Sequence, residues 1–164
     1  SLDPVTTKGG ISLTPDITIS ELDPGESAML ILPGADSWLT GSNMAFVEAA
    51  GRFLGAGVPV AAICGATIGL ARGGLLNDID HTSNALQILE SPAYTGHDRY
   101  RNELAVRDGN LVTASAIAPV EFARAIFDAL EFYPEPTSAN WYLFYGRQDE
   151  AGFFGLMEGM PHAE

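Results

Sequence analysis

The residues able to do covalent chemistry are few. The chain of 164 residues holds one cysteine, Cys64, and three histidines, His81, His97 and His162. A lone cysteine excludes an intrachain disulfide framework and any cysteine-cluster metal site, so Cys64 is either an inert core thiol or a reactive one. Its setting is Val60-Ala-Ala-Ile-Cys-Gly-Ala-Thr67. The apolar residues before it read as a buried strand, and small residues on both sides permit a sharp turn straight into a helix. That is the arrangement of a nucleophile elbow, in which the side chain stands above the end of a sheet. The helix N-terminus beside it favours negative charge, so a thiol placed there is expected to be partly thiolate at neutral pH. On these residues alone both readings stay open, because a cysteine on a strand also serves as a small buried hydrophobe.

No other chemistry is encoded as clearly. Gly65-Ala-Thr-Ile-Gly69 and Gly73-Gly74 lack the spacing and the lysine of a phosphate-binding loop, and no GxGxxG follows a strand. Three scattered histidines and one thiol supply no local pair of metal ligands. Neither a cofactor nor a metal is therefore expected.

The elements that must position Cys64 follow from hydrophobic patterning. Ala28–Leu32 is a short continuous apolar run closed by Pro33-Gly34, the pattern of a strand buried on both faces. Asn43 is a plausible N-cap for a helix whose face carries Phe46, Val47, Ala50, Phe53 and Leu54. Gly55 and Gly57 end it, and Val58–Ile63 forms a second buried strand. Gly65–Arg72 reads as a helix in spite of Gly69, stopped by Gly73-Gly74. Residues 84–91 are compatible with a short helix. Leu104–Arg107 and Leu111–Ala114 flank Asp108-Gly109, a hairpin signal. From Pro119 a helix runs to about Phe132, with Val120, Ala123, Ile126, Phe127 and Leu130 on its buried stripe. Before all this, Ile11–Leu13 and Ile17–Ile19 are β-like pieces broken by prolines and glycines. Strands alternating with helices argue for an α/β layered fold with a mostly parallel sheet and one hairpin. Ligands in such sheets bind at the carboxyl ends of the strands, where Cys64 and the Pro33-Gly34 turn both fall.

Composition narrows the partners. With 8 Lys+Arg against 21 Asp+Glu the net charge is −13, and a surface of that sign repels phosphate backbones and anionic lipid headgroups. No basic patch offsets it, so nucleic acid and membrane surfaces are excluded as partners. No apolar run approaches a membrane span and no basic-then-apolar leader opens the chain, which makes the cytoplasm the expected location. Apolar residues are 46% of the chain and charged residues 18%, which fits a globular domain burying roughly 70% of its unfolded surface.

Several motifs in a fixed order carry a family likeness. Leu30-Ile-Leu-Pro-Gly-Ala35, Ala62-Ile-Cys-Gly-Ala-Thr67, Asp108-Gly-Asn-Leu-Val-Thr-Ala-Ser115 and Glu121-Phe-Ala123 together resemble the ThiJ/PfpI family. That family includes the parkinsonism-associated deglycase and belongs to the class I glutamine amidotransferase-like superfamily. The likeness covers roughly residues 5–133, and Asn140-Trp-Tyr-Leu-Phe144 is similar to the tail of a bacterial subgroup. It implies a flavodoxin-like three-layer sandwich. An incomplete α/β domain over 1–133 is then followed by an aromatic helical extension over 134–164, packing on the domain or on a partner subunit. Cys64 matches the family's elbow nucleophile. The backbone N–H groups of Ala35 and Gly65 match its oxyanion hole, where two fixed donors stabilise a developing oxyanion. His81, in Ile79-Asp-His-Thr-Ser-Asn84, matches a histidine that other members place one short strand after the cysteine, within reach to transfer a proton. Gly34, His97 and Ser115 fall at the pocket rim, while His162 is given no role.

Two departures stand out. Protease-like members carry histidine directly after the cysteine, where this chain has Gly65. Members also carry an early glutamate, after a first strand, that hydrogen-bonds the cysteine sulfur. This sequence starts at the equivalent of the second strand, so the first strand–helix unit and that glutamate are expected to be missing or supplied by a separate N-terminal segment.

The function implied is that of a cysteine-dependent enzyme acting on a small carbonyl or amide compound, of hydrolase, glyoxalase or deglycase type. Two other classes compete with it. One is a stress protein whose cysteine is oxidised as a redox sensor. The other is a non-catalytic binding module, which the dense aromatic tail favours. A homodimer and a small-molecule substrate are the partners expected.

Overall fold

A computed structural model describes residues 2–159; His162 lies outside them. The chain opens with a two-residue hairpin, β1 (Val5–Thr6) paired antiparallel with β2 (Ser12–Leu13), both exposed. Ile17–Ile19 is no strand: Ile19–Glu21 forms a tight helical turn started by Thr18, whose backbone N–H and hydroxyl both donate to Glu21.

The α/β body begins at β3 (Leu30–Leu32). The one-turn α1 (Ser37–Thr40) and then α2 (Met44–Gly55) follow, and β4 (Val60–Ile63) leads directly into α3 (Gly65–Arg72). β5 (Ala105–Asp108) and β6 (Leu111–Ala114) make the expected hairpin, and α4 (Pro119–Ala129) completes the body with proline in its first turn. The sheet order is β3-β4-β6-β5, parallel except for the β5–β6 pair. Asp108 still pairs with Leu111, so the hairpin loop is Gly109-Asn110, with Gly109 at φ +55°. That is one residue later than the Asp-Gly signal suggests. Helices α2 and α3 cover one face through Val47, Ala50, Phe53 and Leu70, and α4 covers the other through Phe122 and Ile126. Fold class and layering are as the sequence predicts.

Local chemistry explains the smaller differences. Asn43 does precede α2, but its side chain donates to Ser37 Oγ instead of capping the helix. Residues 86–89 form only one tight turn. Gly69 sits inside α3 because Trp38 lies there: a Cβ on Gly69 would fall 2.4 Å from the indole ring. Beyond α4, residues Thr137–Arg147 form α5 and Glu150–Glu158 form α6, which packs back on α5. Trp141 meets the edge of Phe127 on α4 with ring centroids 5.0 Å apart, so the aromatic extension rests on its own domain. Phe153, Phe154 and Met157 stay exposed on its outer side.

β3 lies at the edge of the sheet. It has no second partner strand among the described residues, and Ile31, on its outer side, is 49% exposed. Beside it runs an apolar groove of about 610 Å³ lined by Ile17, Leu22, Trp38 and Phe46.

Candidate active site

Cys64 lies where β4 meets α3. Its N–H donates to Ala114 O at 3.0 Å, so the cysteine is held by the sheet as if it were one more strand residue. Its carbonyl, one peptide later, already accepts from the helix: Thr67 N at 3.1 Å and Thr67 Oγ1 at 2.6 Å. Satisfying both partners within one residue forces φ +60°, ψ −125°, a conformation that L-residues rarely adopt. The backbone at Cys64 is thus a sharp strand-to-helix turn.

The facing wall is the Pro33-Gly34-Ala35 turn at the end of β3. The approach is close: a Cβ on Gly34 would fall 2.9 Å from Cys64 Cβ and 3.4 Å from Sγ, and a Cβ on Gly65 would fall 2.9 Å from Ala35 O. Only glycine admits that spacing. Trp38 fixes the turn against α3, since Nε1 donates to Pro33 O at 2.9 Å while the ring lies against Gly65 and Gly69. As the first residue of α3, Gly65 has an N–H with no acceptor inside the helix, and Ala35 N–H takes no part in the loop hydrogen bonds. Both border one cavity of about 520 Å³ that also holds Gly34, Cys64, Asn84 and Arg72.

The neighbour of the sulfur is Asn84, a residue that sequence reasoning missed. Its Nδ2 donates to Cys64 Sγ at 3.5 Å. The amide is oriented unambiguously, because Oδ1 accepts from Ala116 N at 2.8 Å and so turns the NH₂ toward sulfur. A buried segment braces it. Ser83 Oγ donates to Thr67 Oγ1 (2.7 Å), whose own proton goes to Cys64 O, and Thr82 N donates to Thr113 Oγ1 at 2.9 Å.

His81 belongs to this bracing segment. It is fully buried and both ring nitrogens are engaged, Nδ1 with Ile79 O at 2.8 Å and Nε2 with Tyr94 Oη at 2.9 Å. A carbonyl can only accept, so Nδ1 carries the proton and the Nε2 lone pair faces the tyrosine hydroxyl. Burial pushes the imidazole pKa down, against an opposing effect of the Ile79 carbonyl, and burial pushes Tyr94 up to about 12. Both partners are therefore neutral at pH 7. His81 makes no hydrogen bond to Cys64 and does not line its cavity; the cysteine–histidine dyad drawn from the motif is not assembled. The signal that could have found Asn84 was present in the same motif, three residues on, where the chain leaves the buried segment.

The rim residues divide similarly. Gly34 lines the cavity, but His97 pairs with Glu90 at 2.8 Å on an exposed turn, and Ser115 is buried with its backbone bound to Leu104 and Ala118. Neither His97 nor Ser115 borders the cysteine cavity. Asp36 does border it, as does Lys8, and these two form a solvent-exposed pair at 2.7 Å. No carboxylate reaches the sulfur among the described hydrogen bonds, and no cluster of described residues has the composition to hold a metal ion.

With this geometry in view, residues 1–129 match the model of the DJ-1/PfpI family. The chain belongs to the DJ-1/PfpI family. A Bacillus subtilis protein named as an uncharacterized protease, YoaZ, is 41% identical, the match covering 93% of this chain and 74% of that protein. A second from the same organism, YdeA, carries the same description and is 35% identical, over 93% and 80%. Among solved structures, a thiJ/pfpI family protein from Bacillus anthracis superposes with a TM-score of 0.91 at 38% identity, covering 97% of this chain and 76% of that one. The DJ-1 superfamily protein Atu0886 from Agrobacterium tumefaciens gives 0.81 at 38% identity, covering 88% and 78%. No helix among the described residues is long and apolar enough to cross a membrane.

Proposed function

We propose that this DJ-1/PfpI family chain is a cysteine-dependent enzyme acting on a small carbonyl or amide compound. The observation that carries the reading is the elbow: Cys64 at φ +60° borders a cavity that Ala35 and Gly65, whose N–H groups would form the oxyanion hole, also line. A strained backbone is retained where the surrounding structure over-determines it, and such strain clusters at active sites. In the reaction, the Cys64 thiolate adds to the substrate carbonyl carbon, forming a C–S bond as the C=O π bond breaks. The oxygen becomes an oxyanion that the two amides stabilise. Asn84 holds the sulfur in line and moves no proton, since an amide is not a base at neutral pH. His81 is a positioning residue for the Thr82–Asn84 segment. Proton transfer falls to water in the open cavity.

Turnover of methylglyoxal and of simple amides by the wild type, lost in Cys64→Ala and kept in a Cys64-sparing control such as Gly51→Ala, is the expected result. A Cys64→Ala protein with undiminished turnover would refute the assignment.

One observation favours a second reading. Among the described residues the sulfur has a hydrogen-bond donor beside it and no base, an environment suited to holding an oxidised sulfur oxyanion. Peroxide titration followed by intact mass separates the two: oxidation at Cys64 without turnover of any carbonyl compound would favour the redox role.

A further inference from the structure

The cavity that holds Cys64 is not confined to the elbow. It runs along α3, where Gly65, Ile68 and Arg72 fall on one helix face and form its floor. Seven residues separate Gly65 from Arg72, a rise of about 10 Å. Ile68, between Gly65 and Arg72 on that face, is apolar, and Leu39 and Ile88 also line the cavity, so apolar wall is available between thiol and guanidinium. Arg72 is half-buried, and one of its nitrogens, Nη1, donates to Trp38 O at 2.7 Å. That bond uses one of the five N–H groups of a guanidinium. No carboxylate lies within ion-pair distance of Arg72 among the described residues.

Charge singles this cavity out. The chain carries a net −13, yet the cysteine cavity is bordered by two cations, Lys8 and Arg72, against one carboxylate, Asp36. Asp36 is already neutralised by Lys8. The cleft beside β5 instead matches three arginines with three carboxylates, and the cleft between β5 and α4 holds two arginines against three carboxylates. The apolar groove beside β3 holds one aspartate and no cation. A positive end on an acidic protein selects an anionic ligand group against the general repulsion of the surface.

We infer that the substrate carries a carboxylate, which Arg72 binds at the far end of a short apolar spacer from the carbonyl that Cys64 attacks. This deepens the enzymatic reading above and rests on it for the reacting end only. An arginine fork suits a carboxylate, and its fixed position sets the spacer length.

The test compares two haloacetyl probes of equal length, N-iodoacetyl-4-aminobutyrate and its primary amide, with iodoacetamide as the short neutral reference. Second-order alkylation rates at Cys64 are read by intact mass. The carboxylate probe is expected to react about fivefold faster than its amide with the wild type, in keeping with a charge-assisted bond at a half-exposed site. With each long probe read relative to iodoacetamide on the same variant, Arg72→Gln, which keeps a donor for Trp38 O, abolishes that preference, and Arg72→Lys restores part of it. Equal rates for the two long probes in the wild type, or a preference that survives in Arg72→Gln, overturns the inference. Binding of 4-acetamidobutyrate and its amide to Cys64→Ser, followed by calorimetry, separates the two claims. If iodoacetamide leaves Cys64 untouched but the carboxylate still binds Cys64→Ser more tightly than the amide, the anion site stands and the nucleophile fails.

Discussion

Replacing His81 by phenylalanine separates the two roles a histidine near the cysteine could have. The ring is fully buried, with Tyr94 Oη on one nitrogen and Ile79 O on the other. Phenylalanine keeps most of the volume but leaves both partners unpaired in a dry environment. Each unsatisfied buried group costs about 1–3 kcal/mol, so the variant should lose about 2–6 kcal/mol of stability. For a domain of this size that is a fall in Tm of roughly 4–24 °C. Because the imidazole neither touches Cys64 nor borders its cavity, the iodoacetamide rate of the folded variant should match the wild type. Urea denaturation gives the first quantity and pseudo-first-order alkylation, monitored by intact mass below the unfolding transition, gives the second. An order-of-magnitude fall in alkylation or turnover with stability intact would reinstate the cysteine–histidine dyad and sink the reading of His81 as a structural tie.

Asn84→Ala should show the reverse pattern. The residue is exposed, so stability falls by only about 1 kcal/mol from the lost Ala116 bond, while loss of the donor at Sγ slows alkylation about threefold to tenfold. Gly34→Ala forces a methyl to within 2.9 Å of Cys64 Cβ and should cost about 1–3 kcal/mol with a displaced, slower thiol. Gly51→Ala, in the interior of α2 where the new methyl meets Leu75 at an ordinary 3.8 Å, should instead raise stability by about 0.5–1 kcal/mol in a thermal melt. Stability should also depend on pH through His81. Its folded pKa is depressed below the ordinary 6.5 by burial, so the unfolded chain binds the proton first and the contribution, full above pH 6.5, is lost as pH falls toward the folded value. The slope approaches about 1.4 kcal/mol per pH unit from this one group, and in His81→Phe that component of the slope should vanish from denaturation curves taken at pH 7 and pH 5.5.

What the sequence could reveal depended on whether a feature is written in local pattern or in distant contact. The continuous apolar run gives β4 and the Cys64 turn because a buried parallel strand has no polar positions to disguise it, whereas the run at β3, read as buried on both faces, is an edge strand with Ile31 exposed. The elbow was legible because its small residues adjoin the cysteine. Asn84 was not, since its selection depends on Ala116, thirty-two residues later, turning the amide toward sulfur. His81 drew the assignment because imidazole is the residue type with the chemistry, yet Tyr94 and Ile79 claim both nitrogens. Gly69 was readable only as a blemish in a helix. Its reason, the indole of Trp38, lies thirty-one positions earlier and on another element.

Those glycines reveal how the site is kept in register. The two amides proposed as the oxyanion hole belong to separate elements, the Pro33–Ala35 turn and the start of α3, and would act together only if the elements hold a fixed separation. Trp38 supplies the fixing. It binds the turn through Pro33 O, lies against Gly65 and Gly69 of α3, and offers its own carbonyl to Arg72 at the far end of the same helix. A side chain at Gly69 would push the indole away, one at Gly65 would run into Ala35 O, and one at Gly34 would push the turn away from the thiol. The elbow and the cation at the opposite end of the cavity are therefore referenced to one rigid residue. Their separation is set by helix geometry and close packing, which is what the proposed anion site needs in order to select a ligand of one length.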